Sequence, residues 1–104
     1  MLPLSSFSEH DRVLFLSPPE DAFLQALAAR LSSGLLVVLG SDEEVSNGRR
    51  AHSGLDNVMF VAASAEEIPW QDGFFTQVLD PAGLWVDSPK AALETARVRA
   101  SNDR

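Results

Sequence analysis

The chain contains no cysteine, which excludes a disulfide scaffold, a thiol nucleophile and a cysteine-bound metal. No apolar run reaches the roughly 18 residues that a transmembrane helix needs, and Met1 to Phe7 lacks the basic region and apolar stretch of a leader. The expectation is a soluble, cytoplasmic protein with no membrane partner. Positive charge is also scarce: eight Lys and Arg against 15 Asp and Glu give a net charge of −7. Phosphate backbones are gripped by clustered Lys and Arg, so nucleic acid is not expected as a partner. The basic pair Arg49-Arg50 sits where a helix would end, and Asp42-Glu43-Glu44 where it would begin. Both placements favour the helix dipole. His10 and His52 stand alone in sequence and are read as surface or helix-end residues, because a metal site needs several convergent donors.

What is present suits one domain with a modest core: 104 residues, 45% of them hydrophobic. Apolar runs at Arg12 to Leu16, Leu35 to Leu39, Asn57 to Ala62 and Phe74 to Leu79 alternate with helical or polar material. That alternation signals a parallel βαβ sheet, and the nearly unbroken apolar character of the first three runs suits strands covered on both faces.

After the first strand, Ser17-Pro18-Pro19-Glu20 predicts a helix capped by Ser17, with proline in its first turn, running to about Ser33 and stopped by a left-handed Gly34. Ser41 to Glu44 caps a second helix, expected to be short or irregular because Ser46, Asn47 and Gly48 are poor interior residues. Ser64 to Glu67 caps a single turn before Pro69. Ser88-Pro89 opens a last helix in which Leu93, Ala96 and Ala100 can share a buried face, and residues 101–104 are expected to fray.

The stretch from Asn57 to Phe75, with Ala65-Glu66-Glu67-Ile68-Pro69-Trp70 and then Asp72-Gly73-Phe74-Phe75, resembles the segment between the third and fourth strands of class I S-adenosylmethionine-dependent methyltransferases. Arg12-Val13-Leu14 is similar to the family's first strand, and Ala92-Leu93-Glu94 with Arg97-Val98 to the helix after its fourth. The resemblance covers roughly residues 10 to 100 and stops where the family would begin a fifth strand. It implies a Rossmann-like methyltransferase half-domain, a mainly parallel sheet of order 3-2-1-4 flanked by helices. A ligand would lie beyond the carboxyl ends of strands one and two.

The same resemblance identifies a degenerate cofactor site. Where the family has an acidic residue and a glycine-rich loop, this chain has Phe15-Leu16-Ser17-Pro18-Pro19-Glu20-Asp21, with no glycine and two prolines that lack an amide donor. Gly40 stands in the place of the acid that holds the ribose, with Asp42 two residues away as a shifted substitute. Ser64 stands in the place of the acid that contacts adenine, and equally reads as a helix cap. Asp80-Pro81-Ala82-Gly83 retains the first two residues of the acceptor-side motif of amino-group methyltransferases, or is simply a turn. Thus Ser17, Gly40, Asp42 and Ser64 are vestigial pocket positions, and no catalytic or metal-binding residue is assigned.

The expected function is a non-catalytic binding or assembly module. The alternative is a methyltransferase with an atypical S-adenosylmethionine pocket, completed by a second chain. An unrelated Rossmann-like domain has no Gly-x-Gly-x-x-Gly or Walker sequence to support it, and a Ser-His-Asp hydrolase has no paired motif. The strand Phe74 to Leu79 carries no proline or charge, so as an exposed edge it should pair with another copy, with Leu84, Trp85 and Val86 adding apolar area. The competing expectation is that Leu2, Leu4 and Phe7 fold back over that edge in a monomer.

Overall fold

In the computed structural model, which describes residues 4–100, the first apolar run forms β1 (Arg12–Phe15). Successive side chains of a strand point to opposite faces, so Val13 and Phe15 enter one core while Leu14 and Leu16 enter another. β2 (Leu35–Gly40) divides in the same way, sending Leu36 and Val38 to the first core and Val37 and Leu39 to the second. Burial on both faces explains why these segments are apolar without interruption.

The remaining elements are α1 (Asp21–Arg30), α2 (Asp42–Ala51), β3 (Val58–Ala62), β4 (Gln77–Leu79), α3 (Leu84–Asp87) and α4 (Pro89–Val98). All pairings between named strands are parallel and their order is β3-β2-β1-β4, as expected. α1 and α2 supply Leu24, Leu27, Ala28 and Val45 to the first core. α4 and the connection before β4 supply Ala91, Val98, Ala65 and Ile68 to the second. Phe7 is buried in the first core, and Ser6 accepts a hydrogen bond from the Gln77 side chain. Leu2 and residues 101–104 lie outside the described residues.

Several local expectations are corrected. α1 starts at Asp21 and its N-cap is Glu20, with no side-chain cap bond, so Ser17 does not cap it. The tandem prolines are the reason: Pro19 disfavours a helical conformation at Pro18, so the helix begins only after both. Gly34 is not left-handed; the glycines with positive φ are Gly73 and Gly83. Gly34 is needed for space, since a Cβ there would stand 2.2 Å from the Asp11 carbonyl oxygen.

α2 is a regular ten-residue helix rather than an irregular one. Its capping box is complete, with Glu44 N–H donating to Ser41 Oγ and Ser41 N–H to Glu44 Oε1. Acids in its first turn and Arg49 and Arg50 in its last suit the dipole. Gly48 is tolerated because the Phe60 ring packs where its side chain would be, at 2.4 Å from an ideal Cβ.

In α4 the Ser88 cap is present, donated to by Ala91 N–H, but the buried face is Ala91, Thr95 and Val98. Leu93 is 72% exposed, because the i, i+4, i+7 register of the buried residues turns it outward. Arg97 fastens this helix to the connection before β4: its guanidinium donates to Glu94, Asp72 and the carbonyls of Ile68 and Trp70. Donating to the Glu94 and Asp72 carboxylates raises its pKa above the ordinary arginine value. The bond from Arg97, and then that from the Ile68 amide, lower the pKa of the Glu94 carboxyl.

The fourth strand is also shorter than Phe74 to Leu79. Thr76 interrupts it, its N–H donating to the Arg12 carbonyl while its hydroxyl accepts from the Arg12 amide. Phe75 instead turns to the chain's own return after α4: Phe75 N–H donates to the Val98 carbonyl at 2.9 Å, and a parallel bridge joins Phe75 to Arg99. The beginning of the supposed free edge is therefore covered.

Candidate functional site at the carboxyl ends of the strands

In a doubly wound sheet the ligand crevice lies beyond the carboxyl ends of the strands. Here those ends lead into Ser17-Pro18-Pro19-Glu20 after β1, Gly40-Ser41-Asp42 after β2, Ala63-Ser64 after β3 and Asp80-Pro81 after β4. Ser17 and Gly40 are half-buried, whereas Asp42 and Ser64 are exposed. Asp42 is the first residue of α2. The Ser64 hydroxyl accepts from the Glu66 amide at 3.0 Å, and its carbonyl from the Glu67 amide at 3.1 Å, so it builds a turn. Among the described residues no hydrogen bond or ion pair joins Ser64 to Ser17, Gly40 or Asp42.

The corner between β1 and β2 is crowded by the chain itself. An ideal Cβ on Gly40 would stand 3.0 Å from Glu44 Oε1, 3.1 Å from Glu44 Cβ and 3.6 Å from the Pro18 ring. Glu44 is held there by the capping box, so its carboxylate is already satisfied by the Ser41 amide at 2.9 Å. Pro18 belongs to the extended connection that the tandem prolines impose. A side chain at position 40, the expected ribose acceptor, would crowd Glu44 and require its capping side chain to shift by a few tenths of an ångström.

The amino end of α1 is likewise committed. Asp21 in its first turn lies 3.1 Å from His52 Nε2. The His52 side chain is 2% exposed and its ring stacks on Phe60, with centroids 5.9 Å apart and planes at 13°. His52 does sit at a helix end, as the C-cap of α2, yet it is buried rather than on the surface. Sequence reasoning gave no signal for this pair, because its partners are 31 positions apart and belong to no motif.

A cleft of about 470 Å³ opens beside this crowded corner, at the carboxyl ends of β1 and β4. Phe15, Phe23 and Leu79 line it together with the rings of Pro18, Pro19 and Pro81, and Glu20 and Asp80 also border it. Among the described residues no group of three or more His, Cys, Asp or Glu is arranged to hold a metal ion. None of the described helices is long and apolar enough to cross a membrane.

No protein-family model matches the sequence, and no curated protein sequence does. Solved structures do match. A SAM-dependent methyltransferase from Aquifex aeolicus superposes with a TM-score of 0.79 at 20% identity, covering 93% of this chain and 56% of that one. Geranyl diphosphate methyltransferase in complex with SAM gives a TM-score of 0.77 at 15% identity, covering 93% of this chain and 41% of that one.

The fold is that of the S-adenosylmethionine-dependent methyltransferases.

The YcgJ protein of Bacillus subtilis is similar to the same extent, with a TM-score of 0.75 at 22% identity over 95% of this chain and 44% of that one. The chain thus spans about half the length of these structures. The four described strands, in the order 3-2-1-4, lie within the 93% of this chain that superposes on the Aquifex aeolicus enzyme.

Proposed function

We propose that this chain is a non-catalytic version of the methyltransferase fold, acting as one unit in binding or assembly in the cytoplasm. The observation that supports the reading is the crowded corner at Gly40, where a side chain in the place of the family's ribose acid would press on the capping residue Glu44 and lie against Pro18. Two further features support it. The Pro18-Pro19 connection offers no backbone donors at those two residues. The first turn of α1, a natural anion site, is occupied by its own Asp21 paired with His52. Ser17, Gly40, Asp42 and Ser64 are, in this reading, remnants of a pocket rather than contacts to a cofactor.

In this reading assembly proceeds through a homodimer at the β4 side, using Val78 and the exposed Leu84 and Val86 that follow β4 in sequence. Trp85 belongs to the same stretch of sequence. Light scattering checks this proposal: a dimer that Val78→Lys converts to a monomer places the interface, and a monomeric wild type overturns it.

The decisive test of the functional reading is thermal denaturation with and without millimolar S-adenosylmethionine. A ligand that binds the native state raises its stability by mass action, by about 2.7 kcal/mol at a hundredfold excess over Kd. No shift is expected. A saturable rise in Tm, with micromolar affinity by calorimetry, would replace this reading with that of a methyltransferase using an atypical pocket.

A further inference from the structure

We propose that the cleft between β1 and β4 binds a small organic cation, an ammonium group carried on an aromatic or short aliphatic body. The inference deepens the binding-module reading and rests on it, because it assigns a ligand class to the crevice that a cofactor would otherwise share.

Size and lining point to a small molecule with an apolar body. The cleft is about 470 Å³, within the range of small-molecule sites, which are mostly apolar with a few polar groups that fix orientation. Phe23 forms part of the wall, and its ring is preset by edge contacts with Phe7 at 6.5 Å and with Phe15 at 6.2 Å. A fixed aromatic ring loses little freedom on binding and attracts a cation through its quadrupole.

The sign of the charge follows from the polar groups. Glu20 and Asp80 border the cleft, and among the described residues no Lys, Arg or His lines it. Glu20 is the N-cap of α1 but its side chain makes no cap bond, and among the described residues it forms no ion pair, so its carboxylate is available to a ligand. An anion would meet the opposite conditions. Pro18, Pro19 and Pro81 have no N–H to donate, and the helix N-terminus that could have offered donors already carries Asp21. A net charge of −7 adds a long-range bias in the same direction.

The test uses benzylammonium, benzyl alcohol and benzoate, which keep the ring and change the charge, titrated into the full chain and followed by NMR. Saturable benzylammonium binding that perturbs Phe23 and Leu79 is expected, with benzyl alcohol weaker and benzoate weakest. Glu20→Gln removes one exposed carboxylate without touching the core, and should weaken benzylammonium about two- to fivefold with Tm unchanged. Phe23→Leu should weaken it by a similar factor through the lost ring. Benzoate or benzyl alcohol binding as tightly as benzylammonium would overturn the cation assignment. Absence of benzylammonium binding would overturn the site while leaving the non-catalytic reading intact. Stabilisation by S-adenosylmethionine would overturn that reading and this inference with it.

Discussion

On the β3 side of the sheet, the free edge is met by a side chain. The Asn57 carbonyl accepts from Leu36 and so points toward β2; alternation then turns the Phe60 carbonyl outward. Arg49, in the last turn of α2, donates to it at 3.0 Å. On the β4 side the edge is met by backbone. Phe75 donates to the Val98 carbonyl and accepts from the Ala100 amide at 2.6 Å. Further along, Leu79 turns toward β1 and accepts from Leu16, so Val78 turns its polar groups outward. Exposed strand edges invite pairing with another chain. Among the described residues, a single guanidinium meets one edge at its centre, whereas the returning chain covers the other at its start. The two sides should therefore differ both in what holds them and in what they recruit.

The largest test of that difference is Phe75→Ala. Phe75 is fully buried, in edge-to-face contact with Phe74 at 5.0 Å and packed near Trp70 at 5.5 Å. Its truncation removes the ring beneath the covered part of the β4 edge, and should cost about 3–5 kcal/mol in urea denaturation. A loss under about 1 kcal/mol would mean that backbone pairing with Arg99 holds this side without the ring.

Gly48→Ala probes the β3 side. Alanine is intrinsically better in a helix by about 1 kcal/mol. A Cβ at position 48, however, would lie 2.4 Å from Phe60 Cε1 and 2.5 Å from Cδ1, and His52 stacks on that same ring. Overpacking should win, for a net loss of about 1–2 kcal/mol. A stabilised variant would show that Phe60 can move aside, and that the β3 edge is looser than its contacts imply.

How far the sequence could foretell these two sides differs in the same way. Continuous apolar runs at Arg12–Leu16 and Leu35–Leu39 carry the parallel sheet, because strands buried on both faces need them; the order 3-2-1-4 came from the methyltransferase resemblance. Propensity misjudged α2, since Ser46, Asn47 and Gly48 count against a helix until the Ser41–Glu44 capping box and the Phe60 ring are in place. The tandem prolines did contain the true start of α1, but the Ser17 capping pattern masked it. The crowded corner was half legible: the absence of glycine was visible, whereas Pro18 and Glu44 meeting at Gly40 depends on two loops converging. The cleft was legible only as a crevice at the strand ends, because its lining joins two stretches far apart in sequence, Phe15 to Phe23 and Leu79 to Pro81. His52 was hidden for the same reason.

Acid separates the sides by chemistry. The Glu94 pKa lies below its ordinary value of 4.5 because Arg97 and the Ile68 amide donate to it. A depressed carboxylate stabilises the fold above its unfolded pKa, and that contribution is lost as pH falls through the folded value. Stability should therefore decline below about pH 4.5 partly through release of α4 from the Ile68 connection. Glu94→Gln should be less stable near neutrality and show a shallower acid decline. An identical decline in the variant would assign acid sensitivity to other carboxylates.

The smallest expected change in stability, and the sharpest test of the comparison, is Arg49→Met. Methionine keeps much of the apolar stem and deletes the donor to the Phe60 carbonyl. Because the guanidinium is on the surface, the lost hydrogen bond should cost only about 0.5–1.5 kcal/mol. The larger consequence lies in association. With Arg49 gone, the outward-facing carbonyl at the centre of β3 joins a short edge whose Met59 is already 45% exposed, and β3 itself carries no charged residue to discourage pairing there. Light scattering should then show concentration-dependent self-association beyond the wild-type mass. Val78→Lys, placed on the opposite edge, should fail to remove that increment. If Arg49→Met keeps the wild-type mass, the guanidinium is not what closes β3. If Val78→Lys abolishes the extra association, both edges recruit through β4, and the contrast between a side-chain guard and a backbone guard fails.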